Sequence, residues 1–175
     1  IAFFHHAPYS KGTHDSDVDP GMRDMRELLA PILEAGGVDL VLAGHSHTYE
    51  RSMFINGHYG PAASFSPPHI VDGSSGSDAG YQKTRGTTAG AVYALTGSAG
   101  TNGPGPLNHP VMQASAATSG SLVVDVEGGR LRAFYLRDTG AVNDAFTLLK
   151  RDAAGPPTAP WGLRTQEILD PNYLS

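Results

Sequence analysis

Five histidines fall within the first 47 residues, at positions 5, 6, 14, 45 and 47. His5 and His6 close one apolar run, "IAFFHH", and His45 and His47 follow a second, "VDLVLAG". A neutral imidazole is a metal ligand of intermediate softness that suits Zn, Fe or Mn. Residues two apart in extended backbone point the same way, so His45-Ser46-His47 could ligate one cation or two adjacent ones. The same pair also reads as ordinary loop histidines bonded to backbone or water, and the pattern alone leaves both readings open. A His-x-His-x-Asp metal site is disfavoured, because Tyr49 stands where the aspartate would be.

The flanking elements decide whether these side chains can meet. "IAFFHH" has the length and composition of a buried strand. "APYSKGTHDSDVD" is a polar loop that carries His14. In "DPGMRDMRELLAPILEAGG", Asp19 is a good helix N-cap and Pro20 fits the first helical position. Met22, Met25, Leu28, Leu29, Ile32 and Leu33 fall on one helical face. Pro31 should kink this helix, and Gly36-Gly37 should stop it. "VDLVLAG" is uniformly apolar, as in a strand covered on both faces. Strand, helix, strand is the α/β arrangement, in which ligands bind outside the carboxyl ends of the strands. If the two strands are neighbours, His6, His45 and His47 converge there.

After residue 50 the chain becomes β-rich. Asn56-Gly57 is a hairpin signal. Residues 60 to 90, rich in Gly, Ser and Pro, read as a long surface loop. "AVYALTGS" is a strand, and "AGTNGPGPLNHP" is a loop. "SLVVDVEGGRLRAFYLRDTGAVNDAFTLLKR" holds three strand-like runs separated by Gly128-Gly129 and Asp138-Thr139-Gly140, a β-meander. Residues 152 to 175 open with the linker composition "DAAGPPTAP". The expected division is one domain over 1–151 and a Pro-rich linker or tail over 152–175.

Composition narrows the function classes. With 39% hydrophobic and 17% charged residues, the chain of 175 is globular rather than disordered. A net charge of -5 without a Lys/Arg block argues against nucleic-acid binding. No apolar run approaches the roughly 20 residues of a membrane span. The absence of cysteine excludes disulfides and thiolate metal sites. The strand-like start at Ile1 leads us to expect a true N-terminus upstream, so the missing signal peptide says little about destination.

"HAPY" at 6–9 and "GHSHTYER" at 44–51, separated by a helix-sized gap, resemble the second half of the calcineurin-like metallophosphoesterase superfamily. The purple acid phosphatase branch is the nearest match. "GHYG", "AVYALTGSAG", "HPVM" and the meander also look like that family's C-terminal sheet, so the resemblance covers about residues 1–150. It implies an α/β fold: the C-terminal half of a metallophosphoesterase β-sandwich flanked by helices. It implies a metal-dependent phosphoric ester hydrolase of acid phosphatase or phosphodiesterase type, with a binuclear Fe, Zn or Mn centre that activates water against phosphorus. His6 and His45 would bind one metal and His47 the other. His14 sits where plant relatives carry histidines beside the substrate phosphate, and would be the catalytic residue that holds a phosphate oxygen or protonates the leaving group. Gly44 would let the backbone turn under the metals, Tyr9 would line the pocket, and Glu50 and Arg51 would pair to brace the loop. His5 would be a structural neighbour, since adjacent strand residues point to opposite faces. A secreted, periplasmic or envelope location goes with the resemblance.

The family's two aspartates, asparagine and tyrosine lie in motifs N-terminal to the first histidine motif. Asn108-His109, Asp138-Thr139-Gly140 and Asp78-Ala79-Gly80 match by letters only and read as turns or loops. The centre is therefore expected to be incomplete in this chain alone, its other ligands coming from a missing N-terminal half or another subunit. A half-sheet would expose an edge and an apolar face, so we expect oligomerisation or poor solubility. The alternative is a non-catalytic or degenerate phosphoesterase fragment acting as a binding or structural module. A third reading is a mononuclear hydrolase that uses Asp15 or Asp17.

Overall fold

Ala2–His6 forms β1 and Leu40–Gly44 forms β2, and the two pair in parallel, so that both chains deliver their histidines to the same end. The computed structural model in which this is seen describes residues 1–152. The proposed tail falls, from residue 153 on, outside them. Val92–Thr96, which is β7, lies on the other side of β2, and the antiparallel strands β3 (Tyr49–Ser52) and β8 (Met112–Ala116) extend the sheet in the order β1-β2-β7-β3-β8.

Between β1 and β2 the helix starts where the sequence places it. Asp19 caps it by accepting from Met22 N at 3.2 Å, and Pro20 follows. It then runs as α1 (Pro20–Asp24), a π-helical turn (Met25–Leu29) and α2 (Ala30–Ala35). Pro31 has no N–H to donate, and its ring would crowd the carbonyl four residues back. The disturbance expected at Pro31 takes the form of a π turn, in which Ala30 N reaches Met25 O. The wider turn changes which face is buried. Met22, Arg26, Ala30 and Glu34, each four apart, are buried, whereas Leu28 and Ile32 are 67% and 66% exposed. The helical face read from the sequence is thus wrong at Leu28 and Ile32. Gly37, with φ 73, ends the helix in a Schellman arrangement, with Val38 N on Leu33 O at 3.0 Å and Gly37 N on Glu34 O at 2.9 Å.

The meander forms as expected. Gly120–Glu127 (β9), Arg130–Arg137 (β10) and Val142–Arg151 (β11) pair antiparallel, and Tyr81–Thr84 (β6) joins β11 in parallel to complete a second sheet. The segment 60–90 is therefore not one loop. It contains two 3₁₀ turns (Ala62–Ser64 and Pro67–His69), β5 (Ile70–Asp72) and β6, and Tyr81 within it is fully buried. Asn56-Gly57 does not close a tight hairpin. The short β4 (Phe54–Ile55) pairs instead with β5, with Asn56 N on His69 O at 2.9 Å.

The two sheets pack face to face. Leu40, Val92 and Ala94 of the first meet Leu131, Ala133, Phe146 and Leu148 of the second, with Phe54 and Tyr81 between them. The other face of the first sheet packs under the helix, where Val41 and Tyr93 meet Ala30 and Leu33. This is the expected α/β sandwich, strand-rich after residue 50. A buried cation secures it. Lys83 Nζ donates to Gly90 O at 2.7 Å and Val38 O at 2.9 Å, and pairs with Asp39 at 3.1 Å. The outer edge of β1 has no partner strand among the described residues, and Phe3 on it is 82% exposed.

Candidate metal centre

The carboxyl ends of β1 and β2 bring His6 and His45 together, with ring centroids 4.3 Å apart. His5 joins them. Its Nε2 lies 3.2 Å from His45 Nδ1, and its ring is 5.0 Å from that of His6. Strict alternation would have sent His5 to the opposite face. A bulge prevents this: Phe3 is opposite Leu42 and His6 is opposite Gly44, so three steps along β1 match two along β2. Such an extra residue re-aims the side chains beside it.

The sharp turn expected at Gly44 falls one residue later. His45 itself has φ 69, in the left-handed region that few non-glycine residues enter, although histidine enters it more readily than most. The turn swings the imidazole back over β1. Gly21 lets the start of α1 approach equally closely, since a Cβ there would lie 2.9 Å from His6 Cδ2. Burial, then the neighbouring His45 and His5, hold the His6 pKa below its usual value, favouring the neutral ring that binds metals.

His14 arrives from the 7–19 loop, with its ring 4.1 Å from that of His45. The loop is held by Glu50, which is fully buried and accepts from Ser10 Oγ at 2.5 Å, Thr48 Oγ1 at 3.0 Å and Lys11 N at 3.1 Å. Burial raises the Glu50 pKa, partly countered by these donors. Ser46 Oγ adds a bond from His14 N at 3.3 Å. Glu50 braces the loop as expected, but not by pairing with Arg51. Successive strand residues face opposite sides, and Arg51 turns into the sandwich to bind Asp144.

The acidic member of the group is one that sequence reading used only as a helix cap. Asp19 Oδ2 lies 3.0 Å from His45 Nε2 and 3.5 Å from His14 Nδ1. The bond with His45, more than the one from Met22 N, holds its carboxyl below the usual range. Asp15 and Asp17 are engaged elsewhere, paired with Lys11 at 2.7 and 3.0 Å, and Asp17 lies 3.4 Å from Arg26. The only sequence signal for Asp19 was an N-cap placed right after a histidine-bearing loop: a carboxylate has two oxygens, and the cap needs one.

Among the described residues, two sets of three side chains place donor atoms within 4.8 Å of one another: His5, His6 and His45, and His14, Asp19 and His45. His47 belongs to neither. Its ring is exposed, while its backbone N–H donates to Thr13 Oγ1 at 2.9 Å and its carbonyl accepts from Gly103 N at 3.0 Å. Tyr9 does not line this site. It is buried against Tyr93 and His109, and its hydroxyl donates to the His58 carbonyl. Asp138-Thr139-Gly140 is the β10–β11 turn, as expected, with Gly140 at φ 82.

Over 84 residues the chain is 37% identical to purple acid phosphatase 18 of Arabidopsis thaliana, a match that covers 47% of this chain. About half of the chain is thus similar in sequence to a purple acid phosphatase. It spans 18% of the length of that relative. No family model matches it. Among solved structures, the purple acid phosphatase PPD1 from yellow lupin (Lupinus luteus) superposes with a TM-score of 0.58 at 17% identity, covering 92% of this chain and 28% of that one. GAP50 of Plasmodium, described as the anchor in the inner membrane complex, superposes with a TM-score of 0.50 at 13% identity, covering 87% of this chain and 45% of that one. The two structures share the fold of this chain, and the Arabidopsis relative is similar in sequence over about half of it. No helix among the described residues is long and apolar enough to cross a membrane.

Proposed function

We propose that this chain is the histidine-bearing portion of a metal-dependent phosphoric ester hydrolase of acid phosphatase or phosphodiesterase type. The observation that carries the reading is the meeting of His6 and His45 at the carboxyl ends of adjacent parallel strands, where open α/β sheets bind their ligands. In this reading His6 and His45 hold one cation and His47 faces a second, with Fe, Zn or Mn as the candidates by donor chemistry. When bound, such a pair of cations lowers the pKa of water and offsets charge on phosphoryl oxygens. His14, whose side chain is 42% exposed, is placed to hold a phosphate oxygen or to pass a proton to the leaving oxygen, with Asp19 orienting the ring. The remaining acidic ligands would come from outside these residues, through an N-terminal portion or another subunit that also covers the β1 edge. A secreted or envelope location belongs to the same proposal.

A non-catalytic binding or structural module is the second reading. It is supported by the position of His47 outside both donor groups and by the occurrence of this fold in a protein described as an anchor. The deciding experiment is aryl phosphate hydrolysis with added Zn, Mn or Fe, comparing wild type with His6→Ala and His45→Asn. Asparagine tolerates the left-handed backbone at 45, so the second variant removes the imidazole without the strain alanine would bring. Hydrolysis lost in both variants supports the enzyme. Hydrolysis surviving both rejects the assigned ligands, and none in a longer protein that also carries an N-terminal portion with the acidic ligands favours the second reading.

A further inference from the structure

We infer that this chain, on its own, binds a single divalent cation between His45 Nε2, His14 Nδ1 and Asp19 Oδ2. The site differs from the one assigned above in using Asp19 and His14 as ligands and in needing no second cation. It stands on the geometry of these three side chains and does not rest on the phosphoesterase reading.

The separations fit a first-row metal of the zinc class. Tetrahedral bonds of about 2.0–2.1 Å put neighbouring ligand atoms about 3.3 Å apart, and the two contacts of Asp19 Oδ2, at 3.0 and 3.5 Å, bracket that spacing. All three donor atoms lie within 4.8 Å of one another. The carboxylate is already oriented for one-oxygen ligation: its Oδ1 is spent on Met22 N, which leaves Oδ2 toward the histidines. On the far side of the His45 ring, Nδ1 rests 3.2 Å from His5 Nε2, a contact of the kind that fixes the orientation of a metal-bound imidazole. The left-handed backbone at His45 points to the same end, because residues held in such conformations cluster at functional sites. With side-chain exposures of 42%, 21% and 19% for His14, Asp19 and His45, the site is open enough for water to complete the coordination sphere. Two imidazoles and one carboxylate suit Zn or Co better than Mg or Ca, which prefer all-oxygen sites.

The test is calorimetric titration of the chelator-treated chain with ZnCl₂, alongside the visible absorption of the Co(II) form. Wild type is expected to take up about one cation per chain. Asp19→Asn keeps the helix cap, since asparagine caps as well as aspartate, but removes the charged ligand. It should weaken binding by at least about tenfold and change the Co(II) spectrum. His14→Ala, at a side chain 42% exposed, should weaken it comparably. Asp15→Asn, which removes the same charge four residues away, should leave affinity unchanged. Wild-type affinity in both Asp19→Asn and His14→Ala would overturn the proposal and move the cation to His5, His6 and His45. Failure of the wild type to bind Zn would overturn it outright. Neither readout involves turnover, so this site and the hydrolase reading can fail separately.

Discussion

Arg51 and Asp144, 93 residues apart in sequence, form a two-armed ion pair across the sandwich, with Nε–Oδ2 at 2.6 Å and Nη2–Oδ1 at 2.8 Å. Arg51 belongs to β3 in the first sheet and Asp144 to β11 in the second, so one pair of side chains joins the two layers. The guanidinium also lies 4.9 Å from the Phe146 ring centroid, and Tyr49 donates to the same carboxylate at 2.6 Å. Removing one partner of such a pair leaves a buried charge without compensation. Asp144→Ala should therefore destabilise the fold by about 3–5 kcal/mol, read as a lower midpoint in urea unfolding.

Gly97 lies against the turn that carries the histidines. A Cβ there would stand 2.1 Å from the Ser46 carbonyl oxygen, a backbone atom that cannot swing aside. Ser46 separates His45 from His47, so Gly97→Ala must displace the turn. We expect a stability loss of about 1–3 kcal/mol, together with weaker Zn binding. Unchanged binding in a destabilised variant would mean that the turn tolerates the shift.

Stability should fall on mild acidification because of two histidines that belong to neither donor group. Burial, then the nearby His69, lowers the His58 pKa to about 4, and burial above all lowers that of His109 to about 3. An unfolded histidine titrates near 6.5. Between that value and the folded one, the unfolded state holds more protons, so stability declines as pH drops from about 6.5 toward 4. The expected slope is about 1.4 kcal/mol per pH unit for each histidine. His109→Gln should flatten the profile of unfolding midpoint against pH, and an unaltered profile would assign the acid sensitivity elsewhere.

The elements that position the site were legible because their signals are local. Asp19-Pro20 and Gly36-Gly37 mark the helix ends by capping chemistry, the apolar runs mark β1 and β2, and the two turns mark the meander. The rest depended on pairing. The bulge that turns His5 toward His45 exists only in the register of β1 against β2. The π turn that exposes Leu28 and Ile32 answers to packing of the helix on the sheet as well as to Pro31. Asp19 meets the histidines because a helix start and two strand ends converge, and no spacing in the chain encodes that. β6 was hidden in a Gly/Ser-rich stretch because its alternation covers only four residues, with Tyr81 and Lys83 turned inward.

The Lys83 ammonium has four oxygen neighbours, from Gly37, Val38, Asp39 and Gly90, at 2.7 to 3.4 Å. In the language of coordination chemistry it is a cation whose ligands come from two separate stretches of chain, tethered covalently to a third. A chelator can strip a metal from the histidine end, but it cannot extract this cation. The sandwich should consequently keep its tertiary signature in EDTA even where the site at its edge is emptied.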